Sequence, residues 1–188
     1  MSTTKALLII ADGSEEMEAV ITADVLRRAK IDVTVAGLDG DKPVKCSRNI
    51  VLMPDTSLEQ VREKEFDVII LPGGLGGSEA FAASELLGTL LKKQESIGKD
   101  IAAICAAPIA LKSHKILLGK KITCYPGVVE KLKETHSVSE DRVVIDGNLI
   151  TSRGPGTAFE FGLAMVEKYV GKEQAKTIGD AMLVKIGQ

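Results

Sequence analysis

Tryptophan is absent from this chain of 188 residues, and aromatic residues as a whole make up only 3%. With hydrophobic residues at 45%, the core must be built from Val, Ile, Leu and Ala, the usual filling of a parallel α/β sheet. Neither charge sign is in excess. Lys plus Arg number 24 against 26 Asp plus Glu, a formal charge of −2, which offers no footprint for nucleic acid. No apolar run approaches the ~20 residues of a membrane span. The opening residues, Met1 to Lys5, lead straight into a strand and leave no room for a signal peptide. Cysteines are few, at 46, 105 and 124, with no CxxC spacing and no way for all three to pair. That spacing predicts no metal site and a reducing, cytoplasmic setting. Neither GxGxxG nor a P-loop occurs, so nucleotide binding has no support.

What is present is alternation. Lys5 to Ala11 reads as a buried strand, and Ser14 as the cap of a helix over 15–29. Strands are expected over 31–36 and 66–71, a hairpin or edge excursion over 44–53, and helices over 57–63 and 84–97. Asp146-Gly147 marks a second hairpin, and 157–169 a further helix. Strands alternating with helices predict one domain over 1–188, an α/β fold with a mostly parallel central sheet and helices on both faces. Ligands bind such sheets outside the carboxyl ends of the strands. Three candidates fall there: Glu15, Glu16 and Glu18 after the first strand, Gly73 and Gly74 after the third, and Cys105 after the next.

The stretch Asp100 to Pro108 carries the most chemistry. A short apolar strand ends on Cys105 and turns at once into a helix, with Ala103 and Ala107 flanking the thiol. A nucleophile elbow has that form, because its sharp turn leaves no room for large neighbours. The first turn of a helix would also favour a thiolate. The plainer reading is a buried structural cysteine. Gly73, Gly74 and the Ala106 N–H could form an oxyanion hole beside the sulfur, or simply end a strand. Glu18 lies within an apolar segment, where a carboxyl has a raised pKa and can act as an acid or base. At least one of Glu15, Glu16 and Glu18 is expected to be a solvated helix-start residue. Of the two histidines, His114 reads as a helix end and His136 as part of a polar loop. Neither is placed to activate Cys105, which disfavours a peptidase.

At GSEEMEAV (13–20), ADVLRRA (23–29), VTVAGL (33–38), KCSRN (45–49), DVIILPGG (67–74), AAICAAP (102–108) and TSRGPGTAFEF (151–161), the chain resembles the parkinsonism-associated protein deglycase family of the ThiJ/PfpI superfamily, in particular its animal members. The resemblance implies a flavodoxin-like sandwich, a homodimer and a lid formed by a C-terminal helix over about 172–184. It places the oxidisable nucleophile on Cys105, its acidic partner on Glu18, and the oxyanion donors on Gly74 and Ala106. It implies cofactor-free conversion of glyoxals to 2-hydroxy acids, repair of glycated protein or thiol adducts, and a place in the cytoplasm, nucleus or mitochondria. A non-enzymatic alternative, an oxidative-stress sensor and chaperone switched by Cys105 oxidation, uses the same residues. Two positions depart from the family pattern. Tyr125 stands where many animal members have a histidine, and a tyrosine hydroxyl is a poor base at neutral pH. Met53 stands where relatives often have a cysteine near the dimer contact.

Overall fold

The computed structural model describes residues 3–185. The first half runs β1 (Lys5–Ile10), α1 (Glu16–Arg28), β2 (Asp32–Gly37), the hairpin β3 (Val44–Lys45) and β4 (Val51–Leu52), then β5 (Thr56–Ser57) and α2 (Leu58–Val61). Next come β6 (Val68–Leu71), α3 (Leu75–Ala83), α4 (Glu85–Ser96), β7 (Asp100–Ile104) and α5 (Pro108–His114). The chain continues through β8 (Lys121–Thr123), α6 (Val129–Leu132), β9 (Ser137–Ser139), β10 (Val143–Asp146) and β11 (Leu149–Ser152), and closes on α7 (Ala158–Val170) and α8 (Lys172–Ala181).

The main sheet has the order β10-β11-β7-β6-β1-β2-β5. Every pairing in it is parallel except the β10–β11 hairpin. Without the short β5 and the β10 edge, its strands follow the flavodoxin-like order, with a switch point between β1 and β6. Strand alternation gives the sheet two apolar faces. Leu8 and Ile10 share a groove with Ala19 and Ala23 of α1, while Leu7, one residue before them, lies with Val61 of α2 and Leu90 of α4. Helices α1, α7 and α8 pack together, as do α3, α4 and α5. Close approach of α7 to α1 needs Gly162, where a Cβ would meet Val25 at 2.9 Å.

Several local expectations change. Ser14 does not cap α1. Its hydroxyl accepts from the Ala11 N–H at 3.0 Å, and Glu15 is the N-cap, accepting from the Met17 N–H at 3.4 Å. Neither Glu15 nor Glu16 is solvated, because the β3–β4 hairpin folds over both. Helix α3 was not expected at all. His136 is buried, with its ring against the Thr135 hydroxyl at 3.0 Å. His114 does end a helix, and its ring is held by the Phe81 carbonyl at 2.8 Å.

Candidate active site

Because β1, β6 and β7 are adjacent and parallel, the residues after them share one rim. Two hydrogen bonds tie the first two loops together. The Glu15 N–H donates to the Gly73 carbonyl at 2.9 Å, and the Gly73 N–H donates to Glu18 Oε2 at 2.6 Å. Only glycine fits this crossing. A Cβ on Gly73 would lie 2.6 Å from the Cys105 Cβ and 2.7 Å from Glu18 Oε2. Gly74 has φ +81°, and a Cβ there would lie 2.2 Å from the Gly13 carbonyl oxygen.

Cys105 itself adopts φ +64°, the left-handed region that few non-glycine residues occupy. It therefore sits on a turn ahead of α5, not in the helix's first turn as the sequence suggested. The strained backbone is held at both ends. The Cys105 N–H donates to Ser152 O at 2.9 Å, and Cys105 O accepts from the Tyr125 N–H at 2.8 Å. Such strain persists only where surroundings over-determine it, and it collects at functional sites.

The turn brings the Cys105 thiol against the Glu18 carboxyl and under the N–H groups of Gly74 and Ala106. Glu18 is 1% exposed, and burial pushes its pKa up to about 7 despite the Gly73 and Cys105 hydrogen bonds. Its Oε1 is buried without a hydrogen bond of ordinary geometry. Burial, then the Glu18 charge and hydrogen bond, push the thiol up to about 12, while the Gly74 and Ala106 N–H groups pull it down. Between these values the pair holds one proton. With the proton on sulfur, the thiol donates to the carboxylate. With it on Glu18, a thiolate faces two N–H donors and no charge.

Beside the sulfur opens a cavity of about 400 Å³. Glu15, Ser47 and Arg48 supply its polar lining, and Leu75, Tyr125, Val128 and Pro155 its apolar lining. Ser47 Oγ lies 2.8 Å from both Glu15 Oε2 and Glu16 Oε2, and the Arg48 N–H donates to Glu16 Oε1 at 2.8 Å. These bonds hold the carboxyl of Glu16 below its ordinary range despite its burial. Tyr125 lines the cavity but is half exposed. No histidine lines it. Arg48, Leu75, Val128 and Pro155 escaped sequence reasoning, although Arg48 stands in the quoted KCSRN. Among the described residues no cluster of His, Cys, Asp or Glu is arranged to hold a metal ion.

The lid expected over 172–184 is not in place. None of the residues lining the Cys105 cavity belongs to that segment. Helix α8 lies along α7, burying Ala175 and Ile178 and setting Gly179 against Leu163, because its apolar stripe matches that face. The groove between these helices is larger, about 770 Å³, but has no cysteine or histidine in its lining.

Cys46 and Cys124 are buried, and burial pushes both thiols up to about 11. Ionisation alone would thus rank Cys105 last of the three. Its position reverses the order, since it alone opens on the cavity and has a proton acceptor and two N–H donors at the sulfur. Limiting peroxide followed by peptide mass mapping should find Cys105 oxidised first. Earlier oxidation of Cys46 or Cys124 would contradict this.

The geometry now has relatives to stand beside. Residues 4–168 match the DJ-1/PfpI family. Protein dj-1beta of Drosophila melanogaster is 55% identical over 180 residues, covering 95% of this chain and 96% of that one. A protein of Caenorhabditis elegans named glutathione-independent glyoxalase DJR-1.2 is 41% identical over 181 residues, covering 95% and 96%. The crystal structure of Drosophila DJ-1beta superposes with a TM-score of 0.96 at 54% identity, covering 98% of this chain and 100% of that one. A match spanning every strand of the main sheet and all three loops of the rim leaves one conclusion, that this chain belongs to the DJ-1/PfpI family.

Proposed function

We propose that this protein is a glutathione-independent glyoxalase, converting methylglyoxal to lactate and acting on early glycation adducts by the same chemistry. The observation that carries this is the contact of Cys105 and Glu18 beneath two N–H donors beside an open cavity. The name of the nematode relative supports it.

Glu18 takes the thiol proton, and the thiolate adds to the aldehyde carbon. The carbonyl electron pair moves to oxygen, where the Gly74 and Ala106 N–H groups stabilise it. That oxygen then takes the proton from Glu18 to give a hemithioacetal. Glu18 next removes the hydrogen on the sulfur-bound carbon as a proton and returns it to the neighbouring carbon. The hydroxyl proton of the hemithioacetal passes to the neighbouring ketone oxygen, so the sulfur-bound carbon becomes a thioester carbonyl and its neighbour a secondary alcohol. Water cleaves it, releasing lactate and the thiol, so methylglyoxal plus water balances lactate. No step calls for a cofactor. Acid quenching during turnover, with peptide mapping, should find the substrate-derived adduct on Cys105. An adduct confined to other residues would overturn the assignment. Complete lack of turnover by freshly reduced protein would favour the sensor reading.

Tyr125 has no part in this scheme. Tyr125→Phe should lower kcat/KM by less than about tenfold, ~1.4 kcal/mol. A loss beyond about a hundredfold with the fold intact would give the hydroxyl an acid–base role.

A homodimer is proposed as well. Val20 of α1 and Met53 just after the hairpin are exposed and line one groove with Leu52, and Met17, Ile50 and Val51 of the same two segments are exposed as well. Contiguous apolar surface of this kind marks protein contacts. Light scattering at micromolar concentration should give twice the chain mass, and a 20.0 kDa particle would contradict it.

A further inference from the structure

The cavity beside Cys105 is far larger than methylglyoxal requires. Pockets of about 300–1,000 Å³ hold drug-sized ligands, and this one measures about 400 Å³. Its apolar lining is also unspent. Leu75 and Tyr125 are 55% and 50% exposed, and Val128 and Pro155 line the same space. Neither the fold nor the chemistry at sulfur accounts for an exposed leucine on the first residue of α3, next to Gly74. Glu15 on the polar lining and Glu16 behind Ser47 set two carboxylates against the one guanidinium of Arg48. That balance does not favour an anionic substrate.

We infer that the preferred substrates are uncharged 2-oxoaldehydes carrying an apolar substituent longer than methyl, and that Leu75 is a specificity-determining residue for that substituent. The inference rests on the glyoxalase reading above and extends it to a substrate class. The reacting carbon stays at Cys105 whatever the substituent, so the added groups gain contacts along Leu75, Tyr125 and Val128. Each added methylene gains transfer free energy as it leaves water. Part of this surface stays wet, so a butyl in place of methyl should raise kcat/KM by about tenfold, mainly through KM.

The test measures kcat/KM of the reduced, full-length protein on methylglyoxal, on 2-oxohexanal, and on a 2-oxoaldehyde of similar length ending in a carboxylate. The expected order puts 2-oxohexanal about tenfold above methylglyoxal, with the carboxylated compound below 2-oxohexanal. Leu75→Ala should bring the ratio of 2-oxohexanal to methylglyoxal close to one, and Leu75→Met should keep it high. A ratio near one in the wild type, with methylglyoxal turned over, overturns this inference alone. A higher kcat/KM for the carboxylated compound also overturns it, because Arg48 would then govern the choice. Turnover of none of the three removes the glyoxalase reading and this inference with it.

Discussion

Replacing Glu18 by Gln should lower kcat/KM on methylglyoxal by at least about a hundredfold, ~2.7 kcal/mol, the lower range for a general acid–base residue. The amide keeps the volume and can still accept from the Gly73 N–H, but it cannot take the thiol proton. The pH profile should change with it. Below about 7 both carboxyl and thiol are protonated, and above it the pair holds one proton. Wild-type kcat/KM should therefore rise as pH passes through about 7, and that limb should vanish in Glu18→Gln. Stability should move the other way. Burial raises the folded pKa of Glu18 from 4.5 to about 7, so the folded state holds the proton more tightly than the unfolded chain. This contribution is fully present below about 4.5 and is lost as pH rises through about 7. The buried charge then costs about 3 kcal/mol, on the scale of ~1.4 kcal/mol per pKa unit. At pH above 8 the inactive Glu18→Gln protein should accordingly be the more stable one, by up to about 3 kcal/mol. Urea unfolding at acid and alkaline pH checks the sign. Equal stability of the two proteins at both would contradict the burial argument.

The second large effect belongs to Gly74. Alanine there must adopt φ +81° and place its Cβ into the Gly13 carbonyl and the Glu15 N–H. Left-handed backbone costs about 1–2 kcal/mol, and overpacking a filled site about 1–3 kcal/mol. Gly74→Ala should thus lose about 2–5 kcal/mol of stability. Relief of the clash also draws the 74 N–H from the sulfur, so the surviving folded protein should lose activity. Gly156→Ala is the control, with open space around its Cβ and no positive φ. It should stay within about 0.5 kcal/mol of wild type. Denaturant midpoints and kcat/KM on the three proteins test this. A Gly74→Ala protein as stable and active as wild type would show that the crossing of the loops is dispensable.

The residues of the rim were legible because each signal is local. Lys5–Ile10 and Val68–Leu71 are unbroken apolar strands, Cys105 stands between small residues at a strand end, and Glu18 sits in an apolar segment. What stayed hidden depends on distant contacts. Helix α3 begins Leu75-Gly76-Gly77, and glycine is a poor helix former. Gly77 is nonetheless needed, because a Cβ there would lie 2.6 Å from the Ser14 hydroxyl oxygen. The same packing takes Ser14 away from the capping role its type suggests. A solvated residue was expected among the three glutamates because nothing nearby in sequence announces that Ser47 and Arg48 fold over Glu15 and Glu16. The strand-to-helix turn at Cys105 was readable, but its positive φ was not, since the Ser152 and Tyr125 bonds that hold it come from other strands and loops. His136 lies in the loop that its polar neighbours suggested, but its burial was not legible there.

The central claim is that the Cys105 sulfur forms the bond that turns a 2-oxoaldehyde into a 2-hydroxy acid. Lactate should be measured from methylglyoxal, without glutathione, for freshly reduced wild type and Cys105→Ser side by side. A serine hydroxyl keeps the size but ionises far less readily than a thiol, so the account predicts sustained lactate formation by the wild type and none above background by the variant. Lactate formed by folded Cys105→Ser at a rate near that of wild type would contradict it.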